Sequence, residues 1–325
     1  MRSLILCSAV LAGVSICCAQ TPGPVLLGAG NVSPFPLAVA PGELLTLFVQ
    51  PAAAISRWTA SAVTAGFANG PSMPVLQVVE ASTGCNPPLI GAPCTQVLAV
   101  TVQIPFGIPV FCTLCASPFV SASSIDVSVN GVKSAPVIVQ PFQDHVHFLT
   151  TCDIIVAGAN SALPLIGGLP CAPMVTHPDG RPVSAILPAT AGEELVAYAT
   201  GLGQTNPVLT TGQPAAQSSP TVTTFGIDFN FRANALATMP GAAGVPTAAP
   251  LFTGATQAFV GLYQINFIVP TPPVGLVPCV DNAALPAFSN AVQSNLTISV
   301  GSNYSFDGAG ICVEPSPVLD PPASS

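Results

Sequence analysis

Charged side chains are scarce in this sequence. Asp, Glu, Lys and Arg together make up 6% of the 325 residues, whereas roughly 25% is usual for a soluble protein. Only 5 residues are Lys or Arg, against 13 Asp or Glu, and the formal net charge is −8. Because so few positive groups do not attract a phosphate backbone, the composition argues against nucleic acid as a partner.

Beyond its N-terminus, the sequence also lacks an uninterrupted apolar stretch that could cross a membrane. The most apolar later segment, residues 154–175, carries no charge but is broken repeatedly by Gly and Pro. A spanning helix needs about 20 consecutive apolar residues, and its backbone must be hydrogen-bonded throughout. We therefore expect no transmembrane span.

Several common signatures of enzymes are missing as well. No G-x-S-x-G nucleophile elbow occurs in the chain after its N-terminal segment, and the Gly at 201 and 203 lacks the third Gly of a dinucleotide-binding motif. Glu193 and Glu194 are adjacent on a predicted strand, so they point to opposite faces and cannot flank one glycosidic bond. We expect them to be surface charges at the entry to a strand. The sequence predicts no catalytic residue and no cofactor.

Glycine and proline are abundant, with 28 Gly and 37 Pro. Pro removes a helix hydrogen bond, and Gly in a helix interior costs about 1 kcal/mol relative to Ala. This composition favours many short strands joined by turns over a helical bundle. We therefore predict an all-β fold.

The clearest strand signal is the stretch FVGLYQINFIVP at residues 259–270. Its β-branched, aromatic and aliphatic residues are separated by Gln264 and Asn266, and Pro270 ends the run. We expect a central, largely buried strand here. A weaker version, QVLAVTVQIP, occurs at residues 96–105.

Similar segments occur twice and in the same order. A turn and strand lie at 41–49 and 191–199, a core strand at 96–105 and 261–270, and a closing strand at 135–141 and 309–315. The spacings of 150, 165 and 174 residues indicate one unit used twice, with longer loops in the second copy. The Gly42-Glu43 turn of the first copy corresponds to Gly192-Glu193 of the second.

A hairpin is predicted near the end of the first copy. Val127 and Val129 alternate with polar residues, and Asn130-Gly131 supplies the left-handed backbone angles of a tight two-residue turn. The return strand is expected to run through Val139.

The N-terminus has the pattern of a secretory signal peptide. Arg2 precedes an apolar run, and Cys17 and Ala19 are the small residues of a cleavage site, so residues 1–19 are predicted to be removed. Acylation of Cys17 or Cys18 is an alternative that the bulky residue before Cys17 disfavours. We expect a secreted or cell-envelope protein.

Eight cysteines remain after cleavage, and an even number in an exported protein indicates disulfides. The preferred pairs are Cys85 with Cys94, Cys112 with Cys115, Cys152 with Cys171, and Cys279 with Cys312. Exchange among the first four cysteines stays open, because sequence alone does not fix connectivity. The C-x-x-C at residues 112–115 also has the spacing of redox and zinc motifs. Pro118 and the predicted strands around it disfavour a redox role, and a zinc site would need a second pair nearby in space, such as Cys85 and Cys94.

These signals together predict two tandem immunoglobulin-like β-sandwich domains. The first covers residues 20–143 and the second covers residues 144–316, with 144–175 serving partly as a connector. The Pro/Ser-rich residues 317–325 are predicted to be a disordered tail.

Three blocks of the second half resemble a known family. They are G-E-x-L-x-x-Y-x-x-G-L-G at 192–203, G-L-Y-Q-I-N-x-x-V-P at 261–270, and S-N-x-V with a following strand at 289–300. This order is similar to the C-terminal repeat domain of secreted Acidobacteria proteins of the Solibacter type. The resemblance covers about residues 175–315 and implies an immunoglobulin-like, export-associated module. Its pattern contains no catalytic residues. The cysteines and the insertion at 280–288 depart from the pattern.

The segment Asp144-His145-Val146-His147 offers the best candidate metal ligands. His145 and His147 are two residues apart, so in an extended segment both imidazoles lie on the same face, and Asp153 follows closely. The other interpretation of the same residues is a polar contact between domains.

Aromatic residues are too few and scattered to form an obvious sugar-binding platform. Tyr304 and Phe306, in the last predicted hairpin, are the best exposed pair and the candidate binding residues. We therefore predict a non-catalytic adhesion or scaffold module that binds protein or polysaccharide through loops or strand edges. The alternative is an envelope metal-dependent hydrolase that uses His145, His147 and Asp153.

Overall fold

The structure is a computed structural model. It describes residues 23–31, 38–52, 60–81, 96–110, 123–157, 171–241, 247–280 and 291–316. The predicted signal peptide at 1–19 and the predicted tail at 317–325 lie outside these ranges. So do Cys85, Cys94, Cys112 and Cys115.

The regular secondary structure of the described residues is almost entirely β-strand, with one short α-helix and a 3-10 turn, so the predicted all-β fold is confirmed. In the first half the strands are β1 (Val25–Gly30), β2 (Ala38–Val39), β3 (Leu44–Gln50), β4 (Val63–Phe67), β5 (Ser72–Met73), β6 (Val75–Glu80), β7 (Leu98–Gln103), β8 (Ser123–Val129), β9 (Val132–Lys133) and β10 (Val137–Pro141), with the 3-10 turn at Ala60–Ala62. In the second half they are β11 (His147–Phe148), β12 (Val175–Thr176), β13 (Glu194–Thr200), β14 (Ser219–Pro220), β15 (Gly226–Asn230), β16 (Thr247–Ala248), β17 (Phe252–Ala255), β18 (Tyr263–Ile268), β19 (Leu296–Gly301) and β20 (Phe306–Ile311), and the helix is α1 (Ile154–Ala157).

Each half of the chain contributes two sheets. In the first half, one sheet has the order β1-β3-β7-β6, and the other has the order β2-β10-β8-β4-β5 with β9 paired to β8. In the second half, β11-β13-β18-β17-β14 form one sheet with β12 paired to β13, and β16-β15-β19-β20 form the other. None of these four sheets, as far as the chain is described, contains strands from both halves.

The buried apolar residues follow the same division. One large cluster is built from residues between 26 and 139, and another from residues between 146 and 313. A smaller cluster crosses the division, because Ile154 of α1 packs with Phe48 and Ala99 of the first half. The two tandem immunoglobulin-like domains and their boundary at residues 143/144 remain a prediction.

The central strand predicted at 259–270 is β18, which lies between β13 and β17 in its sheet. Its inward residues Tyr263, Ile265 and Phe267 are buried, and alternate residues face outward. The strand begins later than the pattern predicts, because Ala258 and Gly261 have φ angles of 66° and 68°, which place a turn before it. The run of apolar residues therefore includes a turn as well as a strand.

The predicted hairpin after β8 is present. Asn130 and Gly131 have φ angles of 50° and 80°, as a tight two-residue hairpin turn requires. β8 pairs first with β9 and then with β10, where Val139 lies opposite Ser123.

Two disulfides brace the second half. Cys152 pairs with Cys171 at a Cα separation of 5.3 Å, and Cys279 pairs with Cys312 at 5.9 Å. Both are pairs that the sequence predicts. Bonds of this kind are consistent with an oxidising, extracellular location. No helix in the described ranges is long and apolar enough to cross a membrane.

Candidate functional site

The turn before β3 places a carboxylate in the interior of the protein. Gly42 adopts a φ angle of 77°, which a non-Gly residue rarely tolerates, and the chain then enters the strand at Leu44. Glu43 is fully buried, and its Oε2 accepts a 2.6 Å hydrogen bond from the Ala40 amide. The carboxylate therefore closes its own turn and keeps a second oxygen for another partner.

The partner of that second oxygen is His145, 102 residues away in the sequence. The His145 Nδ1 donates to Glu43 Oε1 at 2.9 Å. Burial alone would lower the pKa of His145, but the charge of Glu43 and the hydrogen bond to it outweigh burial and raise that pKa above its usual value. The pair is thus a buried ionic contact between the first half and the segment that begins the second half.

Asp144 organises the loop between β19 and β20. Its two carboxylate oxygens accept hydrogen bonds from the hydroxyls of Ser302 and Ser305 at 2.6 and 2.7 Å. The Ser305 hydroxyl in turn accepts a 2.8 Å bond from the Val146 amide. Burial raises the pKa of Asp144 even though these hydroxyl donors favour its charged form. This carboxylate therefore fixes the loop that carries Tyr304 through the serines on either side of it.

His147 has a carboxylate at each ring nitrogen. Nε2 lies 2.9 Å from Asp153 Oδ1, and Nδ1 lies 3.3 Å from Asp307 Oδ2. Burial alone would lower the pKa of His147, but the hydrogen bonds and charges of the two carboxylates raise it to about 10. The imidazole is therefore doubly protonated at neutral pH and has no lone pair for a metal ion.

The structure does not bring the three candidate metal ligands to one point. His145 contacts Glu43, whereas His147 lies between Asp153 and Asp307. Asp153 also accepts hydrogen bonds from the amide and hydroxyl of Thr150 and directly precedes α1. No arrangement of three or more His, Cys, Asp or Glu side chains in the described part of the chain is suited to a metal ion.

A second histidine–carboxylate pair lies at the equivalent turn of the second half. Glu193 follows Gly192, whose φ angle is 83°, and its Oε1 lies 2.6 Å from the His177 Nδ1. Its Oε2 accepts a 3.0 Å bond from the Thr190 amide, as Glu43 does from Ala40. Burial alone would raise the pKa of Glu193, but the bonds to His177 and Thr190 lower it overall.

Sequence reasoning found both turns but neither histidine partner. The Gly-Glu match at a spacing of 150 residues identifies the two carboxylates. The histidines occupy unrelated positions, one after the first unit's closing strand and one before β13, so no repeated spacing reveals them. Glu193 lies at the entry to β13, as the sequence predicts, but its side chain is only 19% exposed and is bonded to His177.

The two halves meet around Tyr263, which is fully buried. Its hydroxyl donates to the Gly203 carbonyl at 2.5 Å and lies against Gly42 of the first half. Burial raises the pKa of Tyr263 well above its usual range. Leu44 adds a hydrogen bond from its amide to the Thr200 hydroxyl at 2.7 Å. The joint between the halves is therefore packed and hydrogen-bonded.

A cavity with a volume of about 840 Å³, which we call the apolar groove, opens beside this joint. The apolar groove is lined by Leu44, Leu76, Leu149, Ile155, Val156, Met174, Tyr198, Ser218, Thr256, Gln257, Phe259, Val260, Leu262 and Gln264. Both halves of the chain contribute to its walls. Phe259 is 62% exposed at its rim and follows Ala258, whose positive φ is uncommon for a residue with a side chain.

A smaller cavity of about 450 Å³, which we call the polar cleft, lies around the β19–β20 loop. The polar cleft is lined by Gln143, Val222, Thr223, Thr224, Gly226, Met239, Pro240, Thr247, Gly301, Ser302, Asn303 and Tyr304. Tyr304, a candidate binding residue, thus contributes to a concave site. Phe306, the other candidate, is 41% exposed at the start of β20 and is not part of this cleft.

The protein is therefore all-β, and its surface carries two cavities without charged side chains among their described lining residues. No protein family and no curated protein matches the chain. Among solved structures, it is similar to the adhesin InvE of Yersinia pseudotuberculosis, with 9% sequence identity and a TM-score of 0.22. The match covers 89% of this chain and 58% of the adhesin chain.

Proposed function

We propose that the chain is an exported, non-catalytic adhesion module that binds a polypeptide partner through the apolar groove. The observation that carries this proposal is the combination of volume and lining in that groove. Its volume of about 840 Å³ falls within the roughly 300–1,000 Å³ that ligand sites occupy. Its walls are mostly apolar, and among the described residues no charged side chain lines it.

The side chains at the rim of the apolar groove favour a polypeptide as the partner. Phe259, Val156 and Leu76 are 62%, 40% and 36% exposed, so three large apolar side chains meet solvent around one concavity. Exposed apolar surface concentrated at one place is typical of an interaction site. Aromatic side chains at such positions contribute strongly to binding because they bury a large area with little loss of conformational freedom.

Polar groups inside the apolar groove suit a peptide backbone. Gln257 and Gln264 supply amide groups to the walls of this groove. A peptide has carbonyl and amide groups that satisfy donors and acceptors of this kind once water is displaced.

Export and tandem organisation belong to the same proposal. The N-terminal pattern and the two disulfides favour a location outside the cytoplasm. The separate sheets and cores of the two halves support two tandem immunoglobulin-like sandwiches, and the matched Gly-Glu turns support their origin by duplication.

The metal-dependent hydrolase is not favoured by the geometry. His145 is paired with a buried carboxylate, and His147 is held between two carboxylates in its charged form. The contact of His145 with Glu43 belongs to the joint between the halves. The contacts of His147 hold β11 against the start of α1 and against β20 within the second half.

The test is a selection of peptides on the immobilised full-length chain from a random display library. We expect enrichment of peptides with aromatic and aliphatic side chains. Because charge at the rim opposes burial of an apolar side chain, Phe259→Glu should weaken binding of a selected peptide by about tenfold or more.

Ile186→Glu is the matched control, since Ile186 is 78% exposed and does not line the apolar groove. It should bind the selected peptide as the unsubstituted chain does. Failure to enrich any peptide, or equal weakening by both substitutions, would contradict the proposal.

A further inference from the structure

The polar cleft differs in chemistry from the apolar groove. Side-chain hydroxyls and amides of Thr223, Thr224, Thr247, Gln143 and Asn303 line it, and no charged side chain is part of its described wall. Hydroxyls and primary amides both donate and accept hydrogen bonds. A ligand that matches them is neutral and carries many groups of the same dual character.

The cleft also has an apolar side. Val222 and Met239 are 65% and 47% exposed and lie with Pro240 along its wall. Tyr304 completes the lining, and its ring combines an apolar face with a polar hydroxyl. The cleft is therefore amphipathic, as is a sugar ring, which has hydroxyls at its edge and C–H groups on its faces.

The loop that carries Tyr304 is fixed before any ligand arrives. The Tyr304 amide donates to the Ser302 hydroxyl at 3.0 Å, and that hydroxyl donates to buried Asp144 at 2.6 Å. Ser305, on the other side of Tyr304, bonds to the same carboxylate. A preorganised loop loses little conformational entropy when it binds, so even a modest number of ligand contacts yields measurable affinity.

We propose that the polar cleft binds a neutral saccharide. The Tyr304 ring lies against a C–H face of one sugar unit, and the threonine hydroxyls and the amides of Gln143 and Asn303 exchange hydrogen bonds with the sugar hydroxyls. The volume of about 450 Å³ lies within the range of about 300–1,000 Å³ for small-ligand sites. The proposal does not depend on peptide binding at the apolar groove.

The experiment starts with the full-length, disulfide-bonded chain on an array that carries neutral and anionic oligosaccharides. A neutral oligosaccharide that binds is then titrated against the chain by calorimetry. We expect binding that changes little between low and high salt, because no charged side chain of the described wall takes part. We also expect Tyr304→Ala to weaken binding by about tenfold or more, since the aromatic face is lost.

Phe306→Ala is the matched control, because Phe306 is an exposed aromatic two residues away that does not line the polar cleft. It should retain the affinity of the unsubstituted chain within about twofold, or about 0.4 kcal/mol. The proposal is overturned if no neutral saccharide binds, if only anionic saccharides bind, or if Tyr304→Ala and Phe306→Ala have the same effect. Selected peptides should still bind Tyr304→Ala, so failure of this proposal is distinguishable from failure at the apolar groove.

Discussion

His147 shows how a side chain with the character of a metal ligand becomes a structural cation. Asp153 and Asp307 occupy its two ring nitrogens and raise its pKa to about 10, against a usual value of 6.5. The folded protein therefore holds a proton that the unfolded chain releases near pH 6.5. This contribution to stability is complete below pH 6.5 and is lost as the pH rises towards about 10.

We accordingly predict that the free energy of unfolding decreases between pH 6.5 and pH 10, with His147 as a main cause. Urea denaturation at a series of pH values in this window measures the slope. His147→Gln keeps a polar side chain without titrating, so its stability should vary less with pH. An identical slope in both proteins would show that His147 is not the titrating group.

Gly42 and Gly192 provide a second prediction at the level of single residues. Both have strongly positive φ angles, at 77° and 83°, so Ala strains the backbone similarly at each. A Cβ at Gly42 would collide with the Phe106 ring and the Tyr263 hydroxyl, whereas a Cβ at Gly192 meets nothing within 4 Å.

Gly42→Ala should therefore destabilise the protein by about 1–3 kcal/mol more than Gly192→Ala does. Chemical denaturation of the two variants measures the difference. Equal losses of stability would mean that the joint between the halves relaxes around the added methyl group.

At the residue scale, the sequence reveals the carboxylates and not their partners. The Gly-Glu pairs are local patterns, and the turn that they predict is present at both places, where Gly42 and Gly192 have positive φ angles. The contact of Glu43 with His145 joins residues 102 positions apart, and it depends on how the two halves pack. No local spacing contains that information.

At the scale of elements, the strand pattern is the most predictable feature. β8, β13 and β18 follow alternating or continuous apolar runs, and Asn130-Gly131 ends β8 as a tight turn. Short pieces such as β11 and β12 have no sequence pattern of their own. Each has two residues, and its pairing with β13 depends on tertiary contacts.

The disulfide between Cys279 and Cys312, which ties a loop to an edge strand, is predicted to stabilise the protein. It closes a separation of 33 residues and connects the segment after β18 to the end of β20. Replacing both cysteines with Ala should lower the free energy of unfolding by about 2–4 kcal/mol, because the unfolded chain regains conformational freedom.

Denaturation of this double variant under oxidising and reducing conditions provides the measurement and its control. Reduction should make the free energies of unfolding of the variant and the unsubstituted chain more similar, because it breaks the bond in the unsubstituted chain. A variant as stable as the unsubstituted chain under oxidising conditions would contradict a stabilising role for this bond.

At the scale of the whole molecule, the two halves are joined by buried contacts rather than by a bare linker. Glu43 pairs with His145, Leu44 bonds to Thr200, and Tyr263 packs on Gly42. The sequence predicts the two repeats and offers His145 as part of a polar contact between them, but it does not identify Glu43 as the partner. At the equivalent turn of the second half, Glu193 pairs with His177 of the same half. That turn therefore makes no corresponding contact between the halves.

We predict that the shared joint makes the two halves unfold together. Scanning calorimetry of the unsubstituted chain should show one cooperative transition, with equal calorimetric and van't Hoff enthalpies. His145→Ala leaves Glu43 buried without its cationic partner, which is costly, and should broaden or split the transition. Two well-separated transitions in the unsubstituted chain would contradict this coupling.

The central claim is that the apolar groove is the binding surface of an adhesion module. Hydrogen exchange of the full-length chain with and without a selected peptide tests it most directly, because protection reports where the backbone is shielded. Binding at the apolar groove predicts slower exchange at residues 256–264 and around Leu76 in the complex. Protection confined to other surfaces, with unchanged exchange at 256–264, would contradict it.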